Sequence, residues 1–129
     1  MNNPQRVVDM GFTKELFPEG THMCLIYDSE ESRRKIVCEF LAAGLKHGEQ
    51  VRYMTDVSTA KDVISWFSDI GVELPQVREG GPFIMFSAEN AYCPNGRFDP
   101  TDTIERMKFR YDQAEKLGYS GTRGSGEMS

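Results

Sequence analysis

Short apolar runs alternate along the chain with longer stretches in which apolar residues recur every three or four positions. The runs have the length of buried strands, and the strands of parallel α/β sheets are typically continuous apolar segments of this kind. Three runs are therefore predicted strands: Met23–Tyr27, Val51–Thr55 and Phe83–Ser87. The segment that follows Gly118 is expected to enter a fourth strand.

Helical periodicity fills the spaces between these strands. We expect the first helix to span Ser29–Lys46 and to be capped by its first residue. The second helix is expected to begin after a cap at Asp56 or Ser58. The cap of the third helix is expected at Asp102 or Thr103. The inward apolar stripe of this third helix is predicted to consist of Ile104, Met107, Tyr111, Ala114 and Leu117.

The first 20 residues are interpreted as an N-terminal adaptor segment, with a short helix near Val7–Met10 and a turn at Pro18–Gly20. From residue 21 onwards strands and helices alternate, which favours βαβ crossovers and a parallel sheet with helices on both faces. The sequence therefore predicts an α/β fold. Because doubly wound sheets usually have five or more strands, we expect this one to be truncated after the fourth strand, with the C-terminal part of the domain missing.

Composition and charge narrow the class of protein. A chain of 129 residues forms at most one domain, and its net charge of −5 argues against direct binding to nucleic acid, which requires a basic face. The short basic cluster Arg33–Lys35 is interpreted as the solvated face of a helix. Since long apolar runs are absent and the N-terminus is polar, we expect no membrane span and no signal peptide, and we place the protein in the cytoplasm.

The turn between the first strand and the first helix is where a nucleotide-binding α/β protein carries its phosphate loop. Such a loop needs glycines whose amides surround the phosphate, a lysine, and a hydroxyl residue directly after it. Here the turn lacks glycine, Lys35 is followed by Ile36, and the carboxylates of Asp28, Glu30 and Glu31 would repel phosphate. The sequence therefore argues against an ATPase and favours a site for another kind of ligand.

No catalytic or metal-binding constellation is recognisable in the sequence. The two histidines, His22 and His47, lack the four-residue spacing that places a metal-binding pair on one helix face, and no nucleophile elbow is present. We therefore expect a non-catalytic protein, with no cofactor and no resident metal.

Candidate ligand-binding residues lie where the predicted strands end, because ligands of open α/β sheets bind at the carboxyl edge. Tyr27 and Asp28 end the first strand, and Tyr27 offers a small organic ligand an aromatic wall and one hydroxyl group. The alternatives are a partly buried core tyrosine and an ordinary turn residue. His22 can bind the ligand or titrate near neutral pH, or it can simply hydrogen-bond a neighbouring loop.

The loop from residue 89 to residue 100 follows the third strand at the same edge of the sheet. It carries Tyr92, Arg97 and Phe98, which are expected to fold over the ligand as a lid. The alternative is a packed surface loop that Phe98 holds in place.

Three segments, in this order, resemble the MEDS domain, the methanogen/methylotroph sensory domain of the dichloromethane-operon repressor and of archaeal sensor kinases. They are Gly20–Tyr27, then Phe40–Glu49 with its Gly-Leu-x-x-Gly-Glu ending, then Tyr92–Pro100 followed by Gly118–Ser129. The resemblance covers about residues 7–129, although Thr122, Gly124 and Ser125 replace branched residues of the family and weaken the last strand. The first two segments are also similar to circadian-clock and RecA-like ATPase domains, here with a degenerate phosphate loop.

The resemblance implies a three-layer, Rossmann-like or RecA-like fold for residues 21–129. It also implies a role in signal sensing and transcription regulation: binding of a small organic ligand, of one-carbon or hydrocarbon origin, would control an output domain. That output is expected to be a histidine kinase or a DNA-binding regulator, in cis or in trans.

The family match also brings Arg123 and Glu127, which flank the last strand, into the expected ligand site. Glu127 falls where a RecA-like ATPase carries its metal-positioning carboxylate, and here we expect it to hydrogen-bond the ligand or His22. Two alternatives stay open: weak nucleotide binding by a degenerate ATPase fold, and a purely structural or dimerisation module. A homodimer is a possible assembly.

Overall fold

The computed structural model describes residues 6–127. Five strands and four helices make up this part of the chain. In chain order they are β1 (Val7–Asp9), β2 (Leu16–Pro18), α1 (Glu30–Lys46), β3 (Gln50–Thr55), α2 (Ala60–Asp69), β4 (Phe83–Ser87), α3 (Ala88–Tyr92), α4 (Pro100–Lys116) and β5 (Thr122–Gly126).

Strands β3, β4 and β5 form a parallel sheet in the order β4-β3-β5. Val51 of the central strand lies opposite Phe83 on one side and opposite Arg123 on the other. Helices pack on both faces of this sheet, so the predicted α/β architecture is confirmed. The predicted strands Val51–Thr55 and Phe83–Ser87 and the strand after Gly118 are confirmed as well.

One face of the sheet, called here the front face, carries the apolar core. It presents Val51, Tyr53 and Phe83 to helices α1 and α2, because alternate residues of a strand point to the same side. The Phe67 ring of α2 meets the Phe83 ring edge-on, with 5.7 Å between ring centroids. The fully buried side chains of this core include Leu41, Val51, Phe67 and Phe83.

The opposite face, called here the back face, is covered by α4. The Arg110 guanidinium of α4 lies 5.0 Å from the centroid of the Phe86 ring, and Arg52 of β3 donates a hydrogen bond to the Arg110 carbonyl oxygen. Of the residues of α4, only Ala114 is fully buried. The back face is therefore less completely buried than the front face.

The predicted inward stripe of α4 is wrong, apart from Ala114. Ile104, Met107, Tyr111 and Leu117 are exposed. The half-buried side of the helix instead carries Thr103, Arg106, Arg110 and Gln113, which also recur at helical spacing. The physical reason lies in the sheet: its back face presents Arg52 and Gln50 beside Phe86, and the arginine side of α4 finds a hydrogen-bonding and an aromatic partner there.

The predicted first strand, Met23–Tyr27, is also wrong. This segment has no regular secondary structure, and its side chains are exposed, Ile26 to 92%. A strand at the edge of a parallel sheet is stabilised by side-chain packing against its neighbour. The edge strand on the α1 side is β5, in which Gly124 and Ser125 offer little side-chain surface for such packing.

The short helix predicted near Val7–Met10 is wrong, because Val7–Asp9 is a strand that pairs with Leu16–Pro18 in an antiparallel hairpin. Two adjacent β-branched valines favour the extended conformation. The predicted turn at Pro18–Gly20 is confirmed by a hydrogen bond of 3.2 Å from the Thr21 amide to the Pro18 carbonyl.

The caps of the later helices differ from those predicted. Helix α2 starts after Thr59, whose hydroxyl accepts a hydrogen bond from the Asp62 amide while the Asp62 carboxylate accepts one from the Thr59 amide. This reciprocal capping box outcompetes Asp56 and Ser58. Helix α4 starts after Asp99, because Pro100 is suited to the first helical position.

The loop predicted from residue 89 to residue 100 is partly helical, because it contains helix α3 at its start. None of the helices within residues 6–127 combines the length and the apolar character that a bilayer-spanning helix requires.

Candidate functional site

The carboxyl edge of the sheet is where the three parallel strands end. Strand β3 is followed by the loop Asp56–Ser58, β4 by α3, and β5 by Glu127. Ligands of open parallel sheets bind in the crevice at this edge. The residues that meet here therefore form the candidate site.

Glu127 closes the loop that follows β3. One of its carboxylate oxygens accepts hydrogen bonds from the backbone amides of Asp56, Val57 and Ser58, at 2.8, 2.9 and 3.1 Å. The other oxygen accepts a hydrogen bond of 3.1 Å from the Tyr53 hydroxyl. Burial alone would raise the pKa of Glu127, but the hydrogen bonds from Ser58 and from the loop amides outweigh it and lower this pKa to about 2. Glu127 is thus an ionised anchor, with its oxygens already engaged.

Tyr53 connects this anchor to α1. Its hydroxyl donates to Glu127 and accepts a hydrogen bond of 3.3 Å from the Arg33 guanidinium. Burial is the largest cause that raises the pKa of Tyr53, to about 12, so the hydroxyl stays protonated at neutral pH. The result is a continuous chain of hydrogen bonds that starts at the end of β5, continues through Tyr53 on the front face and reaches the first turns of α1.

Arg33 carries this chain to the protein surface. Its guanidinium lies 5.7 Å from the centroid of the Tyr27 ring and 5.2 Å from that of Trp66, while Arg34 lies 5.1 Å from the Trp66 ring. Such distances are typical of cation–π contacts. We call the group Tyr27, Arg33, Arg34 and Trp66 the aromatic–arginine cluster.

The prediction that Arg33 belongs to a solvated helix face is wrong, because Arg33 is buried. Its carboxylate partner is Glu30, whose oxygen lies 3.0 Å from the guanidinium. Arg33 stands four residues before Val37, and this spacing places both on the inward side of α1. The same periodicity could have placed Arg33 on the inward side of α1 from the sequence.

Only some of the predicted site residues are connected by contacts in the structure. Tyr27 and Glu127 belong to one connected group through Arg33 and Tyr53. His22, Asp28, Tyr92, Arg97 and Phe98 are exposed. Within residues 6–127, the side chains of these five residues make no hydrogen bond, ion pair or ring contact with one another or with the cluster. The alternative of a loop held in place by Phe98 finds no support either, since Phe98 is 58% exposed.

Arg123 lies at the other end of the sheet, far from Glu127. It is buried, its guanidinium is 2.9 Å from the Glu49 carboxylate, and it donates a hydrogen bond of 2.7 Å to the Phe40 carbonyl. Glu49, also buried, pairs with Arg6 at 2.9 Å. The ion pairs of Arg123 and Arg6 with Glu49 therefore connect β5, the start of β3 and the N-terminal hairpin.

Two open depressions in the surface of residues 6–127 lie away from the predicted site. One, of about 410 Å³, follows the hairpin between Asp9 and Leu16. The other, of about 590 Å³, lies between the end of α2 and the segment 71–77. No group of three or more His, Cys, Asp and Glu side chains suited to a metal ion occurs in the described residues.

The start of α1 is built differently from a phosphate site. The Ser29 hydroxyl accepts a hydrogen bond from the Ser32 amide, and Glu30 and Glu31 occupy the first turn. Side chains of the protein thus satisfy a donor that a phosphate loop would leave for its ligand. Residues 6–127 thus form an α/β domain with a parallel sheet, and the start of α1 in this part of the chain has no phosphate loop.

The chain belongs to the MEDS family. The family model, described as the methanogen/methylotroph, DcmR sensory domain, matches residues 21–129. This match confirms the resemblance seen in the sequence, and it assigns the chain to a family of sensory domains with a role in signal sensing. No curated protein and no solved structure matches the chain significantly.

Proposed function

We propose that the chain is a non-catalytic sensory module that binds a small, largely apolar organic molecule of one-carbon or hydrocarbon origin at the aromatic–arginine cluster. The single observation that carries the proposal is the position of Tyr27. Its half-exposed ring rests against Arg33, which is hydrogen-bonded through Tyr53 to Glu127. A ligand on Tyr27 would therefore contact a surface that is connected to the centre of the sheet.

The chemistry of the cluster suits such a ligand. Aromatic rings provide flat apolar surface, and the guanidinium groups provide hydrogen-bond donors that fix the orientation of a polar end. The exposed apolar side chains of Met23, Leu25 and Ile26 precede Tyr27 and would cover the ligand from outside. His22 and Asp28 flank this segment, and we assign them to the same wall of the site.

The second wall of the proposed site comes from the loop after β4. Tyr92, Arg97 and Phe98 are exposed in this loop, so their side chains are available to close over a ligand. Glu127 would act through Tyr53 and Arg33, and Arg123 would hold β5 in position from the other end of the sheet. In this role both residues support the site without donating to the ligand directly.

Ligand binding would favour one arrangement of residues 22–28 and of the 92–98 loop over others, as required for a population shift. An output domain, such as a histidine kinase or a DNA-binding regulator, in cis or in trans, or a second copy of the chain would read this arrangement. We further propose that residues 1–20 act as an adaptor, because Arg6 ties the hairpin to Glu49 and Met10 is buried against the domain.

A thermal-shift titration tests the proposal with methanol, methylamine and dichloromethane as probes and with Mg-ATP as a separate arm. A compound that binds only the folded state raises Tm by mass action. We expect a rise with at least one organic probe, and loss of that rise in Tyr27→Ala. Tyr111→Ala is the matched control, since Tyr111 is 46% exposed and Tyr27 is 47% exposed.

Two results would contradict the proposal. Equal responses of Tyr27→Ala and wild type would place the ligand elsewhere. A rise with Mg-ATP that Lys35→Ala abolishes would instead support the degenerate nucleotide site, while Lys35→Ala leaves the response to organic probes unchanged under our proposal.

A further inference from the structure

Three arginines converge between α4 and the back face of the sheet. Arg52 projects from β3 beneath α4, and its guanidinium donates hydrogen bonds to the Gln50 side chain at 3.0 Å and to the Arg110 carbonyl at 3.4 Å. Arg106 and Arg110 stand one helical turn apart on the half-buried side of α4. We call Arg52, Arg106 and Arg110 the back-face arginine cluster.

Among the described residues, a single carboxylate pairs with the three positive charges of this cluster. Within residues 6–127, the only carboxylate paired with any of the three is Asp102, which lies 2.9 Å from Nε of Arg106. The Nη2 atom of Arg106 is buried and has no hydrogen-bond partner in the described part of the chain. Buried donors of this kind are normally satisfied, so the position lacks an acceptor.

The positive charges of the back-face arginine cluster also repel one another. Burial and then the charge of Arg110 lower the pKa of Arg52 to about 10, and burial and then the charge of Arg106 lower the pKa of Arg110. In a chain of net charge −5, three half-buried guanidinium groups with a single carboxylate are an unusual concentration of positive charge. An anion between them would remove the repulsion.

We propose that the back-face arginine cluster binds the oxyanion group, carboxylate or phosphate, of a small molecule. Guanidinium groups match the geometry of both oxyanions through paired hydrogen bonds. The sheet leaves space beside them, because β5 presents Gly124, where an added Cβ would have only the Arg52 carbonyl oxygen, at 3.9 Å, within contact range. The Phe86 ring under Arg110 supplies an apolar floor for the rest of the molecule.

This site is separate from the aromatic–arginine cluster, which lies with α1 and α2 on the other side of the sheet. The inference therefore stands independently of the proposed sensory ligand. Since the three arginines come from both α4 and the central strand, an anion bound to them would draw α4 onto the sheet.

The test uses sodium phosphate and sodium acetate as probes, each at ionic strength matched with sodium chloride. We expect one or both to raise Tm, by about 10 °C at one hundred times the dissociation constant. The Nε–Hε NMR signal of Arg106 should shift and saturate in the same titration. A response to phosphate alone identifies a phosphate site, and a response to acetate alone a carboxylate site.

Variants test whether the anion binds at the back-face arginine cluster. Arg106→Gln should lower the anion affinity at least tenfold, whereas Arg78→Gln, at an exposed arginine that belongs to neither cluster, should leave it unchanged. Arg52→Met gives a second, opposite readout: it removes one of the repelling charges, so it should raise Tm without anion and abolish the further rise with anion. No shift of the Arg106 signal with either probe, or equal affinity in Arg106→Gln and wild type, would overturn the proposal.

Discussion

The two faces of the central sheet use the same three strands in opposite ways. On the front face, Phe67 and Phe83 pack edge to face inside a fully buried apolar core. On the back face, Arg52 and Arg110 occupy the corresponding layer, and α4 buries only Ala114 completely. Alternation of side chains along each strand is what makes this difference possible.

The two faces also differ in what they contribute to the stability of the domain. The front face removes large apolar side chains from water, which is the main driving force of folding. The back face leaves polar groups incompletely paired, which costs stability and is typical of binding sites. We therefore expect substitutions on the two faces to change the free energy of unfolding by different amounts and, in some cases, in opposite directions.

The largest expected difference is between two phenylalanines. Phe67→Ala removes a fully buried ring from the front core and should lower the free energy of unfolding by about 4 kcal/mol. Phe86→Ala removes a half-buried ring from the back face and should cost about 1 kcal/mol. Urea unfolding of both variants, followed by circular dichroism, measures the two values. Equal losses would refute the distinction between the faces.

The next largest expected effect is a loss of folding stability at low pH, which arises from Glu127 at the carboxyl edge of the sheet. The pKa of Glu127 is about 2 in the folded protein, against an ordinary value of 4.5. Because the folded state favours the ionised form, this stabilisation is fully present above pH 5 and is lost as the pH falls through 4.5 towards 2. The loss amounts to about 3 kcal/mol.

Glu127→Gln isolates this contribution. The variant cannot ionise at this position, so its unfolding free energy should fall less between pH 5 and pH 2.5 than that of wild type. It should also be less stable than wild type at pH 7, since the amides of Asp56–Ser58 lose a charged acceptor. Parallel pH profiles for the two proteins would show that Glu127 is not the anchor.

The smallest expected changes in stability come from alanine substitutions at two glycines, one on each face of the sheet. A Cβ at Gly44 of α1 would lie 2.9 Å from Arg123 and 2.9 Å from Val51, so Gly44→Ala should cost about 2 kcal/mol. A Cβ at Gly124 of β5 would meet nothing closer than 3.9 Å, and Gly124→Ala should stabilise by about 0.5 kcal/mol. Thermal unfolding distinguishes the two signs, and a destabilised Gly124→Ala would indicate that the back face is more tightly packed than described.

The fold was largely predictable because its main signals are local. The apolar runs of β3 and β4 and the stripe of α1 each identify their element. The segment Met23–Tyr27 carries the same signal and yet forms no strand, because pairing also depends on the neighbour, and β5 offers glycines. A one-dimensional pattern contains no information about that neighbour.

The site was less predictable for a related reason. Tyr27 was predicted because it lies at the end of an apolar run, and Glu127 was predicted through the resemblance to the family; the structure connects the two through Arg33 and Tyr53. Arg33 was missed, since an arginine on a helix is commonly solvated and its burial depends on what packs against it. Trp66 was missed because its contacts with Arg33 and Arg34 join two different helices. Helix α4 has two sets of residues at helical spacing, one apolar and one polar. The apolar set was predicted to face the sheet, but in the structure the polar set does so.

The bond between Glu127 and the loop after β3 also has a consequence for synthesis on the ribosome. The partners Asp56 and Glu127 are 71 residues apart in the chain, and β3 receives its neighbour β5 only at this late stage. Contacts of such sequence separation form slowly. A nascent chain that pauses before this point presents one side of β3 as an unpaired edge, open to association with other chains.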